Sequence, residues 1–253
     1  MKTIDINSDL GEGFGVYSMA DDATLLELIT SANVACGFHA GDWMTMHQTS
    51  TLAIKNGVNI GAHVGYPDRQ GFGRRHIAYS PDELKLMTLY QLGAMRAIAE
   101  GAGGRLSHAN FHGALGNLTF VDYDVAYAAL SAFKDFDRNL KFIALPFTAA
   151  YKAAQKLNIE IVCSFLADRA YTPEGVLVSR KEPGAMVTDE TQIRARVQRL
   201  LQEGKLAAID GTDLEMPVDS ILVHSDTPGA VEIARTIRKA VQDIGYKIHP
   251  FSS

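Results

Sequence analysis

The sequence predicts an α/β fold, an irregular (β/α) barrel of seven or eight units with a TIM-like layout. Three observations predict it. Short apolar runs rich in β-branched residues alternate with helical stretches along the chain. Seven or eight such units fit into 253 residues, a length typical of one closed parallel barrel. No G-x-G-x-x-G follows the first run, which speaks against a dinucleotide-binding doubly wound sheet. No linker and no low-complexity tract interrupts the pattern, so residues 1–253 are expected to form a single barrel domain.

The elements follow in chain order. A first strand is expected at 3–8. Asp21 and Asp22 then open a helix, where two acids suit the positive end of the helix dipole. Strands at 32–38 and 58–64 flank a helix that Gly57 ends. Ser80-Pro81-Asp82-Glu83 supplies an N-cap, a proline at the first helical position and a capping-box glutamate. That helix ends at Gly101, and Gly101 to Gly104 reads as a loop. Strands at 105–111, 141–146 and 159–166 come next. Ile193, Val197, Leu200 and Leu201 lie on one helical face, with Arg194, Arg196 and Arg199 elsewhere. Strands are expected at 206–210 and 220–224, although 207–219 lacks a clear helix, so closure is expected to be irregular with seven main strands. Thr227-Pro228 starts the last helix, with a stripe of Ile233, Ile237, Val241 and Ile244, and Gly245 ends it.

Composition narrows the function. Hydrophobic residues make up 47% and charged residues 21%, which describes a globular chain and excludes a disordered one. The formal charge is −5 and the longest basic cluster is Arg74-Arg75-His76, too short to track a phosphate backbone, so nucleic acid is not an expected partner. No apolar run reaches membrane-spanning length and no secretory h-region is read at the start. Cys36 and Cys163 are the only cysteines, each in an apolar stretch, which suits free thiols in a reducing compartment. A cytoplasmic location is the expectation.

The chemistry lies at the strand ends. Barrel sites form at the C-terminal ends of strands, and in this reading those ends carry Asp9, His39, His63, His112, Asp168 and His224. Histidine and carboxylate converging from separate strands can bind a divalent metal or move protons. One histidine at a strand end is ordinarily a hydrogen-bonded structural residue; a set spread over several strands is harder to explain that way. His108, two residues before Asn110 and four before His112, shares their strand face; if only His112 points into the mouth, His108 sits deeper. Asp9 and Glu12 suit a ligand and a general base, or a cap for the helix after Gly15. The loop Gly71-Phe-Gly-Arg-Arg75 delivers two guanidinium groups that could clamp a carboxylate or phosphate, or form a solvated turn. Trp43 either lines a pocket or packs at a helix start. Asp168-Arg169-Ala-Tyr171 could bind a substrate carboxylate or form a structural ion pair. No G-x-S-x-G, local catalytic-cysteine signature or Walker A sequence is present, so a nucleotide used here is not held by a P-loop.

Several of these segments together resemble the LamB/YcsF family. Asn7-Ser-Asp-Leu-Gly-Glu-Gly-Phe-Gly15 is similar to its opening motif, and Ser31-Ala-Asn-Val-Ala-Cys-Gly-Phe-His-Ala-Gly-Asp42 is the most specific match. Gly61-Ala-His63, the segments 66–75 and 165–175, and His224-Ser-Asp-Thr-Pro-Gly-Ala230 follow in family order, so the resemblance covers nearly the whole chain. It implies a barrel of the glycoside hydrolase/deacetylase superfamily type. It also implies the role of the A component in a bacterial ATP-dependent 5-oxoprolinase, which opens 5-oxoproline (pyroglutamate) to glutamate with ATP hydrolysis alongside separate B and C subunits. Family members usually read Lys-Pro-His-Gly-Ala-Leu-Tyr-Asn on the fourth strand, where this chain has Asn110-Phe-His-Gly-Ala-Leu-Gly-Asn117. The usual His-Gly-Asp-Asn-Pro-Gly is His224-Ser-Asp-Thr-Pro-Gly229 here, and Val64-Gly65 stands for Pro-Ser.

On that resemblance the expected catalytic residues are Asp9, Glu12, His39 and His112. Arg74, Arg75, Asp168 and Arg169 are expected to hold substrate or phosphate, and Asp9, His39, His63 and His224 to ligate a divalent metal if one is used. ATP is the expected cofactor and a small lactam the substrate. Two other readings stand beside this one: a metal-dependent deacetylase or amidohydrolase needing no ATP, and a divergent non-catalytic paralogue.

Overall fold

A computed structural model describes residues 2–252. Seven parallel strands close a barrel: β1 (Thr3–Leu10), β2 (Ser31–Ala35), β3 (Asn59–Val64), β4 (Leu106–Phe111), β5 (Lys141–Ala144), β6 (Ile161–Leu166) and the strand Ser220–Val223. Between β6 and that strand lie β7 (Lys205–Ala207) and β8 (Asp213–Glu215), which makes Ser220–Val223 β9. β1 pairs with both β2 and β9, from Asp5 opposite Ser220 to Ser8 opposite Val223, and this closes the ring. A short β10 (Lys247–Ile248) extends the sheet beside the first residues of β1.

The helices are α1 (Asp22–Leu26), α2 (Trp43–Lys55), α3 (Pro81–Gly101), α4 (Gly113–Val121), α5 (Tyr123–Phe136), α6 (Ala149–Lys156), α7 (Glu190–Glu203) and α8 (Ala230–Asp243). The expected capping box of α3 is present: Ser80 Oγ accepts from the Glu83 backbone and Glu83 accepts from the Ser80 backbone. Ile193, Val197, Leu200 and Leu201 of α7 are buried, as are Ile233, Ile237 and Val241 of α8. These stripes join Leu92, Met95, Leu130 and Phe133 in the shell of core between barrel and helices. The two cysteines are free and buried, as expected.

Two expectations are corrected. The run at 206–210 is not a barrel strand: Lys205–Ala207 pairs antiparallel with Asp213–Glu215 as a hairpin outside the ring. Leu206 and Leu214 are buried under it, so the apolar residues that suggested a strand do pack, but on the outside of the barrel. Nor does Thr227-Pro228 begin the last helix. Its N-cap is Gly229, at φ 80°, and Thr227 makes a different bond, described below.

The barrel interior is polar rather than filled with branched aliphatic layers. Asp5, Asn7 and Asp9 alternate on β1 and face inward. Asp5 accepts from Thr30 Oγ1 (2.7 Å), Ser31 Oγ (2.7 Å) and Ser220 Oγ. Asn7 Nδ2 donates to Ser220 Oγ (2.6 Å), and Asn33 Nδ2 donates to Asn7 Oδ1 (2.8 Å) and Asp9 Oδ1 (2.9 Å). Asn33 Oδ1 then accepts from His108 Nε2 (2.9 Å). His108 fits only because its neighbour in register is Gly61: a Cβ there would lie 2.1 Å from His108 Nε2.

Candidate active site

This file of hydrogen bonds ends at the C-terminal mouth of the barrel, where β1 to β4 deliver four side chains to one point. Glu12 enters from the turn after β1, His39 from the turn after β2, His63 from the end of β3 and His112 from the residue after β4. All four are buried, and their ligand atoms lie within 4.8 Å of one another. Glu12 Oε1 is 3.2 Å from His39 Nε2, 3.4 Å from His112 Nδ1 and 3.8 Å from His63 Nε2. The His39 and His112 rings stack at 3.8 Å, and His63 meets both edge-on. Gly73, at φ 61°, lets the loop 71–75 close over them; a Cβ there would sit 2.6 Å from His39 Cβ.

The partners assign the tautomers. His63 Nδ1 lies 2.6 Å from Asn110 Oδ1, and His112 Nε2 lies 2.7 Å from the Phe72 carbonyl; both acceptors call for an N–H. The remaining nitrogens, His63 Nε2 and His112 Nδ1, then face each other as lone pairs 2.9 Å apart. Two facing lone pairs beside a carboxylate oxygen call for a cation between them. Burial and the neighbouring rings hold His39 and His112 well below the usual histidine range, which favours neutral imidazoles. Burial, then the nearby Asp9 carboxylate, raises Glu12 well above the usual carboxylate range.

The donor set fits a divalent metal. Tetrahedral ligands at the bond lengths of zinc sites stand about 3.3 Å apart; four of the separations here run from 2.9 to 3.8 Å and all lie within 4.8 Å. Three imidazoles and one carboxylate suit several first-row ions. Four bound protein donors would close a four-coordinate ion to substrate, whereas a five- or six-coordinate ion keeps an open position.

A second pair lies in the same mouth. His224 follows β9, and its Nδ1 is 2.9 Å from Asp168 Oδ2. Thr227 Oγ1 donates to the same Asp168 oxygen at 2.8 Å. Burial works against charge on His224, but the Asp168 carboxylate outweighs it and raises the ring above its usual range. Burial likewise works to raise Asp168, yet His224 and Thr227 hold it below the usual range.

One cavity of about 540 Å³ connects the two groups. Asp9, His63, His112 and His224 line it, with Arg74, Arg169, Arg180 and Lys181 as its cations and Phe142, Leu145 and Leu166 on its apolar wall. Of the expected metal set, His39 and His63 lie in the four-residue group. Asp9 stands beside it, 3.5 Å from His63 Nε2, while His224 is engaged with Asp168. Arg74 pairs with Asp226. Arg75 binds Asp68 and is not among the cavity's lining residues. Asp168 and Arg169 do not form the ion pair weighed from the sequence: Arg169 is buried and donates to the Val178 carbonyl at 2.6 Å. Trp43 is exposed at the start of α2. Glu12 caps no helix, because Asp21 caps α1. Sequence reasoning missed Asn33, Asn110 as the His63 partner, Ser164 and Thr227. The i, i+2, i+4 acids and amide at 5, 7 and 9 were a visible signal for the polar interior.

Comparison with known proteins agrees over the full length. The model of the LamB/YcsF family matches residues 4–253. A protein of Agrobacterium fabrum, named as a second A-type subunit of 5-oxoprolinase, is 49% identical over 247 residues, covering 98% of this chain and 97% of that one. One of Nitrobacter hamburgensis, named as the A-type subunit of 5-oxoprolinase, is 47% identical over 252 residues, 99% of each. The crystal structure of a lactam utilization protein from Thermus thermophilus superposes with a TM-score of 0.94 at 37% identity, covering 99% of this chain and 100% of that one.

Proposed function

The chain belongs to the LamB/YcsF family, and from that premise we propose that it is the A component of an ATP-dependent 5-oxoprolinase, opening the lactam 5-oxoproline to L-glutamate with separate B and C subunits. The observation that carries the reading is that the Glu12, His39, His63 and His112 group reaches one cavity through His63 and His112, and the Asp168–His224 pair reaches the same cavity through His224. The relatives' names supply the substrate and the membership of a multi-subunit enzyme.

Opening the ring adds water to the lactam carbon, breaks the C–N bond and needs a proton on the leaving nitrogen. Asp9 borders the cavity beside the histidine cluster and takes the proton of the attacking water. His224, oriented by Asp168 through Nδ1, keeps Nε2 for the cavity and gives its proton to the leaving nitrogen. Glu12, His39, His63 and His112 would hold a divalent cation, whose chemistry is Lewis-acid polarisation of a carbonyl. The lactam is a stable amide, so we assign ATP to its activation in the assembled enzyme. The lactam oxygen takes the γ-phosphoryl group as ADP leaves, and water addition with C–N cleavage then gives an acyl phosphate. A second water attacks its carbonyl carbon, breaks the C–O bond and releases phosphate. A lactam oxygen labelled with ¹⁸O should then appear in the released phosphate.

Partner binding has support at the surface. Phe14, Val16, Tyr17, Trp43 and Met44 are exposed beside the mouth, and Gly15 N on Asp42 Oδ2 (2.7 Å) ties the two loops together. The test is glutamate release by the three subunits together. It should require ATP and all three chains, and His39→Ala should abolish it without unfolding the protein. A second reading, an amidohydrolase without ATP, draws on the four-donor group alone; turnover by the metal-loaded chain without ATP or partners would establish it instead.

A further inference from the structure

The cavity contains two buried donors with nothing to bond. Ser164 Oγ, on the inward face of β6, has no hydrogen-bond partner among the described residues, and the residue is 2% exposed. Arg169 Nε is likewise unpartnered in a residue 6% exposed, its Nη2 being engaged by the Val178 carbonyl. Both residues line the cavity that holds Asp9 and His224. Buried polar groups are ordinarily paired, and a site made to hydrogen-bond a ligand leaves such groups orphaned when the ligand is absent. Leu166, two residues along β6 from Ser164, adds apolar surface to the same wall, with Phe142 and Leu145.

We propose that Ser164 and Arg169 form a carboxylate subsite, which selects lactams bearing an acid beside the ring over neutral lactams. The inference rests on the lactam reading above and adds the group by which substrate is chosen. One hydroxyl and one guanidinium N–H match the two oxygens of a carboxylate. The apolar wall of Phe142, Leu145 and Leu166 receives the ring methylenes. Ser164 is then a specificity-determining residue, outside the acid–base groups.

Calorimetric titration of the full chain tests this with 5-oxoproline, its neutral counterpart 2-pyrrolidinone, the open-chain acids L-glutamate and glutarate, and inorganic phosphate. Wild type should bind 5-oxoproline at least tenfold more tightly than 2-pyrrolidinone. Ser164→Ala and Arg169→Met should each weaken 5-oxoproline by roughly 10- to 100-fold, the loss expected for a hydrogen bond to a charged group, and leave 2-pyrrolidinone unchanged. Because Arg169 also bonds the Val178 carbonyl, thermal melting accompanies both variants, and the Ser164→Ala result stands alone if Arg169→Met does not fold. Unchanged 5-oxoproline affinity in Ser164→Ala overturns the subsite, and so does wild type that binds none of the carboxylates. Phosphate weakened by the substitutions in place of the carboxylates overturns it as well. If wild type binds glutarate or L-glutamate but not 5-oxoproline, and Ser164→Ala weakens that binding, the subsite holds and the lactam reading falls.

Discussion

The lower barrel interior and its upper mouth are both polar, yet they are finished differently. Below, Asp5, Asn7, Asn33 and His108 are joined by hydrogen bonds of 2.6 to 2.9 Å and one shorter bond from Ser220. Above, His39 Nδ1, Ser164 Oγ and Arg169 Nε lack partners among the described residues, and with both rings neutral two histidine lone pairs face each other beside a carboxylate. A satisfied network fixes one arrangement and stabilises it; an unsatisfied one is completed by something the chain does not supply. The difference teaches that polarity alone does not mark function here. The lower file joins the strands of the barrel and orients Asp9 through Asn33, and the mouth is where we propose the chemistry.

The sharpest way to break this comparison is Glu12→Gln. It removes a buried carboxylate from among three imidazoles while keeping its shape. Glutamate release by the assembled enzyme should fall about 10³-fold, as expected for loss of a metal ligand that stabilises developing charge. Bound metal, measured by mass spectrometry, should fall with it. The melting temperature of the metal-free chain should hold or rise, because burial and Asp9 make the Glu12 charge costly in the folded state. A variant that melts lower yet turns over normally would place Glu12 with the lower, structural file.

Asn33→Leu makes the opposite test. It leaves His108 Nε2, Asn7 Oδ1 and Asp9 Oδ1 without their bonds in a buried interior. Each orphaned group costs about 1–3 kcal/mol, so stability should drop by about 4 kcal/mol in urea unfolding. A drop below about 1 kcal/mol would mean that the file is not what holds the barrel.

The same division explains what the sequence made legible. Strand ends were readable because turn residues bracket the apolar runs, and that placed His39, His63, His112 and His224 at one mouth. The run at 206–210 misled because alternation of Leu206 and Ala208 looks the same in a barrel strand and in a hairpin packed outside. Thr227 before a proline looked like a helix start, yet its hydroxyl is committed to Asp168, fifty-nine residues away in sequence. Glu12 suited a cap or a site equally until Asp21 was seen capping α1. Ser164 lies in an apolar stretch, and the lack of a hydrogen-bond partner has no sequence signal at all.

The smallest effect sharpens the comparison from the bottom of the file. Burial raises Asp5 from 3.8 to about 6, although Ser220, Thr30 and Ser31 donate to it. A carboxyl raised in the folded state contributes stability that is fully present below its unfolded value and is lost as pH rises through its folded one. The loss therefore falls between about pH 4 and pH 6 and amounts to about 3 kcal/mol at one pKa unit per 1.36 kcal/mol. Urea unfolding across that range should show it in wild type, superposed on the other carboxylates. In Asp5→Asn this part of the slope should vanish, since no proton is exchanged there, while the pH dependence of turnover stays as in wild type. Glutamate release whose pH profile shifts in Asp5→Asn would show that the lower file takes part in the chemistry, and the separation of the two regions would fail.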